Sequence, residues 1–244
     1  MMGQQQFCRY TATVDTIELT FWATADGEDI GPQGRRIDAS IGAQRASEPI
    51  TLPSELFTAQ DTGECLRCGN VWESVPALLE SLRPVLDRLL AAPVPPQILE
   101  LGAGMGLPGL WAAARGADVV LTDFNLPVLE LLSRNARLLG IVGDGAPTVR
   151  ELDWSTLPGW ACDDFDLVIA SDVLYNRAAI EPFVRIVAMA LRPGGILLIS
   201  HTERDIFSFD EAIDCAESEC LRWTAQSGGG DSGSVAVHTF EKDF

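Results

Sequence analysis

"QILELGAGMGLPG" fills residues 97–109, and it hands an apolar run to a glycine-spaced turn and then to a second apolar stretch. Residues 97–101 read as a short buried strand, and a helix is expected from about residue 107. Glycines at 102, 104 and 106 let the backbone between them take angles closed to other residues, and let a ligand approach without meeting a Cβ. Downstream the same beat repeats. "DVVLT", "TVRELD", "DLVIA" and "ILLIS" read as strands, with helices expected over 126–139 and 178–191 and a turn at "RPGG". Strands alternating with helices of this length predict an α/β fold, a parallel sheet with helices on both faces.

Upstream of this unit, Val71, Val75, Leu78, Leu79 and Leu82 form one helical stripe. Pro84 is expected to break or restart that helix, and "APVPP" (92–96) is a stiff linker into the strand. The first 69 residues read differently. "TATVDTIELTFWA" (11–23) has strand composition and the polar stretch after it is loop-like, so we divide the chain into an N-terminal strand and loop extension, 1–69, and a main domain, 70–244. At the other end "FDEAIDCAESE" reads as a helix, and "CLRWTA" and "SVAVHTFEK" flank a Gly/Ser turn, which predicts an antiparallel hairpin.

Of the 244 residues, 47% are hydrophobic and 21% charged, an ordinary globular balance. The net charge of −18 repels phosphate backbones, so no nucleic-acid partner is expected, and a neutral or basic partner suits this surface better. No run of about 18 apolar residues exists to span a bilayer, and no membrane partner is expected. The six cysteines are too sparse for a disulfide scaffold, and "CLRC" at Cys65 and Cys68 lacks a second ligand pair, so free thiols fit better than zinc. These features suit a cytoplasmic protein, one that could also enter the nucleus.

What can the glycine turn hold? A dinucleotide fingerprint from Gly102 requires glycine at 107, where this chain has Leu107, and a phosphate-binding P-loop would require a Lys-Ser/Thr pair that is absent. An adenosine ligand without phosphates fits better. Asp123 ends the strand "DVVLTD", where an acidic residue can accept both ribose hydroxyls; the alternative is that it caps the next helix, a duty Asn125 could serve as well. Trp154, after the third strand, can cover an adenine face or pack in the core beside Leu157 and Trp160. "SDVLYN" (171–176) ends the fourth strand with Asp172 and Tyr175 three residues apart, at the sheet edge where ligands of such folds bind. The plainer alternative makes Asp172 a turn cap and Tyr175 a packing residue.

The ordered set "NVWESVPALLESL", "ILELGAGMGLPGL", "VVLTDF", "ELDW", "FDLVIASDVLY" and "LRPGGILLISHTER" resembles the seven-stranded, class I S-adenosylmethionine-dependent methyltransferases. Among them it is most similar to the methyltransferase-like protein-lysine methyltransferases that carry a DxxY motif after strand four. The resemblance spans about residues 70–204 and implies a Rossmann-like, mostly parallel sheet with an antiparallel C-terminal hairpin. It also implies S-adenosylmethionine as cofactor and S-adenosylhomocysteine as product. By matching position, Trp72 would lie over the cofactor, Gly102, Ala103 and Gly104 would line its methionine and ribose portion, and Asp123 would hold the ribose. Trp154 would flank the adenine and Ser171 would touch the cofactor through its backbone. Asp172 and Tyr175 would form the catalytic gate for a lysine presented by a protein substrate.

No metal is expected in this chemistry, and a monomer suffices for it. His201 and His238, the chain's two histidines, are far apart in sequence and carry no catalytic motif. Two other readings share the cofactor residues: a methyltransferase for a small molecule or another side chain, and a catalytically silent binding protein that keeps the fold.

Overall fold

The computed structural model describes residues 6–14, 16–24, 44–45, 50–51, 72, 74–156, 158–162, 164–203, 209–230 and 233–243. Cys65 and Cys68, and most of the polar stretch after residue 24, lie outside the described residues. Seven strands form the main sheet: β5 (Gln97–Leu101), β6 (Asp118–Asp123), β7 (Thr148–Glu151), β8 (Phe165–Ser171), β9 (Leu191–Thr202), β10 (Leu221–Gly228) and β11 (Val235–Lys242). Their order is β10-β11-β9-β8-β5-β6-β7. The pairs from β7 to β9 are parallel, whereas β11 runs antiparallel to β9 and β10 antiparallel to β11. This is the hybrid sheet expected from the sequence, and it is the fold of the class I methyltransferases.

Helices α1 (Ser74–Leu90), α2 (Leu107–Ala114) and α3 (Leu126–Leu138) cover one face of the sheet. On the other face lie α4 (Ile180–Ala190) and α5 (Asp210–Ser218). Strand alternation divides the core accordingly. Ile98, Leu167, Ile169 and Leu198 enter the first cluster, while their neighbours Leu99, Val168, Ala170 and Leu197 enter the second.

Three local readings change. Pro84 does not break α1, which continues through it to Leu90. Its ring lies on the exposed side, where the carbonyl it leaves without a donor can meet water, while buried Leu82 and Leu86 hold both halves of the helix on the core. "RPGG" is not a separate turn either: it forms part of β9, whose pairing with β8 slips between Phe165 and Leu167, and Gly194 supplies the left-handed φ of 75°. The helix expected over 178–191 begins instead as a 3-10 turn, Arg177–Ala179, before α4.

In the extension, β1 (Gln6–Val14) and β2 (Ile17–Thr24) form an antiparallel hairpin, joined by the short strands β3 (Gln44–Arg45) and β4 (Ile50–Thr51). β2 packs against α2 and α3, and Ala12 and Leu19 join the first core cluster. The hairpin therefore covers the outside of the helices behind the glycine turn.

Candidate functional site

The glycine turn has the backbone that its sequence predicts: Gly102, Gly104 and Gly106 all take left-handed φ, at 61°, 54° and 76°. Space is as restrictive as angle. A Cβ on Gly102 would meet Val173 Cγ1 at 2.8 Å and Trp154 Cζ2 at 3.5 Å, so strand ends β5 and β8 and the segment after β7 converge on this glycine. Asn135, fully buried on α3, donates to the Met105 carbonyl at 3.0 Å and fixes the turn from behind. Ala103 donates to the Thr122 carbonyl at 2.8 Å.

Asp123 joins the turn to the end of β6. Its Oδ2 accepts from the Gly104 N–H and its Oδ1 from the Asn125 N–H, each at 3.1 Å. Asn125, and not Asp123, caps α3, accepting from Val128 N–H at 3.3 Å. The helix-cap alternative for Asp123 is thereby removed. Burial pushes its carboxyl above the ordinary range, partly offset by these backbone donors. Two carboxylate oxygens offer about four acceptor positions, so capacity remains beyond the backbone N–H groups of Asn125, Gly104 and Phe124. Phe124 beside it is 60% exposed and Leu126 is exposed as well, which leaves an apolar surface next to the carboxylate.

Behind Asp123 sits a residue that the sequence reading passed over. Glu100 is buried, accepts from the Gly109 N–H at 2.9 Å, and is pushed up to about 8 by burial first and by Asp123 second. Its position just before the glycines was the available signal. Trp154 is half-buried and stands edge-on to Phe183, with centroids 5.2 Å apart, so it belongs to the second core cluster while bordering Gly102. Trp72 is half-buried against the first cluster, and its carbonyl accepts from Val75 at the start of α1.

At the end of β8 a chain of hydroxyls ties three elements together. Ser171 Oγ lies 2.8 Å from Ser74 Oγ of α1 and accepts from Ser200 Oγ of β9 at 2.9 Å. Asp172 follows in the left-handed region, φ 55°, a conformation that aspartate tolerates better than most residues. Only 7% exposed, it is held by β9: its N–H donates to the Ser200 carbonyl at 2.8 Å, and its carboxylate accepts from the Thr202 N–H and Oγ1, both at 3.2 Å. His201 Nδ1 lies 4.0 Å from Asp172 Oδ1. Tyr175, by contrast, is 49% exposed, so it is not the core residue of the plainer reading. Thr202 and His201 were not legible as partners of Asp172, because 30 residues separate Thr202 from it in sequence.

Among the described residues no group of three or more His, Cys, Asp or Glu side chains could hold a metal, and no helix is long and apolar enough to cross a membrane. A left-handed glycine cradle with an adjacent buried carboxylate of spare acceptor capacity, flanked by exposed apolar side chains, suits a nucleoside without phosphates. S-adenosylmethionine, the cofactor of the class I methyltransferases, fits that description.

Comparison with known proteins agrees. A family model described as lysine methyltransferase matches residues 52–213. The ubiquinone biosynthesis O-methyltransferase of Rhizobium etli is 31% identical over 128 residues, covering 52% of this chain and 49% of that protein. Mouse protein N-lysine methyltransferase METTL21A is 32% identical over 144 residues, covering 56% of this chain and 63% of its own length. The matches thus span about half to three-fifths of the length of these relatives. In architecture the chain is similar to magnesium protoporphyrin IX methyltransferase from Synechocystis, solved with bound S-adenosylhomocysteine, at TM-score 0.57 and 15% identity over 78% of this chain and 97% of that one. A TehB-like S-adenosylmethionine-dependent methyltransferase from Corynebacterium glutamicum gives TM-score 0.55 at 19% identity, over 76% of this chain and 96% of that one. With its strand order, its glycine cradle and a family match across most of its length, the chain belongs to the lysine methyltransferase family of class I, S-adenosylmethionine-dependent methyltransferases.

Proposed function

We propose that this protein transfers a methyl group from S-adenosylmethionine to the side-chain amine of a lysine in a protein substrate. The observation that carries the reading is the fixed carboxylate of Asp172, held by Thr202 at the carboxyl end of β8 and one residue from Val173, which borders Gly102. Gly102, Ala103 and Gly104 would line the cofactor, Asp123 would accept its ribose hydroxyls, and Trp72, Trp154 and the backbone of Ser171 would border it. When bound, S-adenosylmethionine supplies a methyl group already activated by its sulfonium, so no enzyme nucleophile is required. The chain's work is alignment.

A lysine amine has an ordinary pKa of about 10.4, so freeing its lone pair at neutral pH costs roughly 4–5 kcal/mol. A carboxylate beside an ammonium favours the protonated form, so Asp172 is not suited to lowering that cost. Its role is to recruit and orient the lysine and to stabilise positive charge growing on nitrogen, while the proton leaves to water. Tyr175, half-exposed at the rim, offers an aromatic wall and a hydroxyl acceptor. The net charge of −18 suits a basic protein partner, and one chain acting as a monomer in the cytoplasm or nucleus, without nucleic acid or membrane, meets every requirement of the reaction.

The O-methyltransferase relative favours a second reading, methyl transfer to the hydroxyl of a small molecule. Incubating the protein with methyl-tritiated S-adenosylmethionine and a cell extract separates the two. Label recovered as methyl-lysine in protein, and lost by about 10²–10³-fold in Asp172→Ala, is the expected result. Label confined to small molecules overturns the lysine reading, and undiminished labelling by Asp172→Ala overturns the role of that carboxylate.

A further inference from the structure

Side by side on β8 and β9, Ile169 and Leu198 lie in the core cluster that α1 covers. One step further toward the carboxyl ends, strand alternation puts the pair Ser171 and Ser200 on that same face. Ser200 is fully buried, and so is Ser74, the first residue of α1. Three hydroxyls from three elements therefore meet where the apolar core ends: Ser171 Oγ contacts Ser74 Oγ and accepts from Ser200 Oγ. A buried hydroxyl adds little over a methyl group unless its bonds are made, and it is costly when they are not. A closed set of them marks a place where geometry matters more than burial.

What that geometry holds is the next residue, Asp172, at φ 55°. A residue other than glycine persists in the left-handed region only where its surroundings over-determine it. Ser200 supplies two of the restraints: its Oγ reaches Ser171, and its carbonyl accepts the Asp172 N–H at 2.8 Å. Ser74 supplies a third from the helix side. Thr202 then takes the carboxylate. Backbone and side chain of Asp172 are thus held separately, the first by the serines and the second by the threonine. The first turn of α1 also carries the Trp72 carbonyl, which accepts from Val75 N–H at 3.0 Å. The hydroxyls accordingly join the segment expected over the cofactor to the residue expected to meet the lysine.

We propose that Ser74 and Ser200 are positioning residues for methyl transfer: through Ser171 they fix the end of β8, so that Asp172 stands where the lysine enters. Both are fully buried, so they act through Ser171 and not by touching substrate. A small displacement of the β8 end lowers the rate of transfer while leaving the glycine cradle and Asp123 to bind the cofactor as before. The assignment rests on the protein-lysine reading above.

The test uses the full chain with Ser74→Ala, Ser200→Ala, Ser171→Ala and the double variant Ser171→Ala/Ser200→Ala. Calorimetric titration of S-adenosylhomocysteine counts the binding sites in each preparation and gives Kd, so the folded fraction of every variant is measured directly. Methyl-lysine formation in cell extract is then followed over a range of methyl-tritiated S-adenosylmethionine concentrations. Ser74→Ala and Ser200→Ala are each expected to lower the apparent kcat per binding site by about tenfold, the effect of one buried hydrogen bond. Their Kd for S-adenosylhomocysteine and KM for S-adenosylmethionine should stay within about threefold of wild type, the pattern of a loss felt in the transition state. Because Ser171 shares both bonds, adding Ser200→Ala to Ser171→Ala should cost less than about threefold more. A merely structural role would lower Tm and the number of sites but leave the rate per site unchanged. That outcome overturns the positioning role, and so do losses that multiply in the double variant. Methyl-lysine formed by wild type and matched by the serine variants overturns this assignment alone. Wild-type label confined to small molecules overturns the protein-lysine reading and the assignment with it.

Discussion

The two sides of the sheet reach function by different routes. On the β5–β6 side the working parts are close in sequence: the glycine turn spans residues 102–106 and Asp123 binds it from 19 residues away. On the β8–β9–β11 side they come from distant segments: Thr202 holds Asp172 across 30 residues, and Phe209 brings His201 and His238 together. The first side is set by backbone geometry that only certain residues permit. The second is set by strand register, which no short motif encodes.

The largest effect expected of a test on the first side is at Asp123. Asp123→Ala removes the acceptor shared by Gly104 and Asn125 and should weaken S-adenosylhomocysteine binding by about 10- to 100-fold, the range for losing one or two hydrogen bonds to a charged group. Calorimetric titration of the product, which cannot turn over, measures it. Unchanged binding would mean that this carboxylate serves the turn and not the cofactor.

Next is Gly109, where α2 passes so close to the sheet that a Cβ would overlap Glu100 Oε2 and Leu121 Cδ2. Gly109→Ala is expected to destabilise the fold by about 1–3 kcal/mol through overpacking. That corresponds to a fall in Tm of very roughly 2–12 °C at about 2–4 °C per kcal/mol. A thermal scan of wild type and variant checks it, and an equal Tm would show that α2 can step away from the sheet without cost.

A smaller effect contrasts the two sides directly. Glu100 has a folded pKa of about 8 against 4.5, so the folded chain binds the extra proton, and its contribution to stability is full below about pH 4.5 and lost as pH rises through 8. His238 shifts the other way, to about 4 from 6.5, so stability falls as pH drops from about 6.5 toward 4. Above pH 6.5 only the Glu100 slope of this pair remains, at most about 1.4 kcal/mol per pH unit. Denaturant melts of wild type and Glu100→Gln between about pH 6.5 and 8 should show a decline in the wild type that the variant largely lacks. A decline of equal size in both would exclude Glu100 as its source.

The same contrast explains what could be read from the amino acids. The order of strands and helices, the left-handed glycines and the terminal hairpin were legible because each depends on local pattern: apolar runs of strand length, glycine where φ must be positive, a Gly/Ser turn between two strands. Pro84 misled because local propensity was outweighed by a buried stripe extending on both sides of it. Asp172 and Tyr175 could be singled out, yet not the difference between them, one buried against β9 and one half-exposed, since burial is decided by the strand that arrives later. Trp154 reads in sequence as an adenine cover or a core residue beside Leu157 and Trp160, and its neighbours Phe183 and Gly102 come from segments that neither reading used.

These 244 residues contain a single lysine, Lys242, at the end of β11, and its Nζ donates to the Leu191 carbonyl at 2.6 Å. The ammonium is thus tethered to the start of β9. A chain so poor in lysine is a nearly silent background for amine chemistry. Methyl label found on lysine in a reaction mixture, or lysine-directed cross-links that trap a complex, would report on the partner at every position except this one. Mass spectrometry of a single peptide would suffice to measure self-modification.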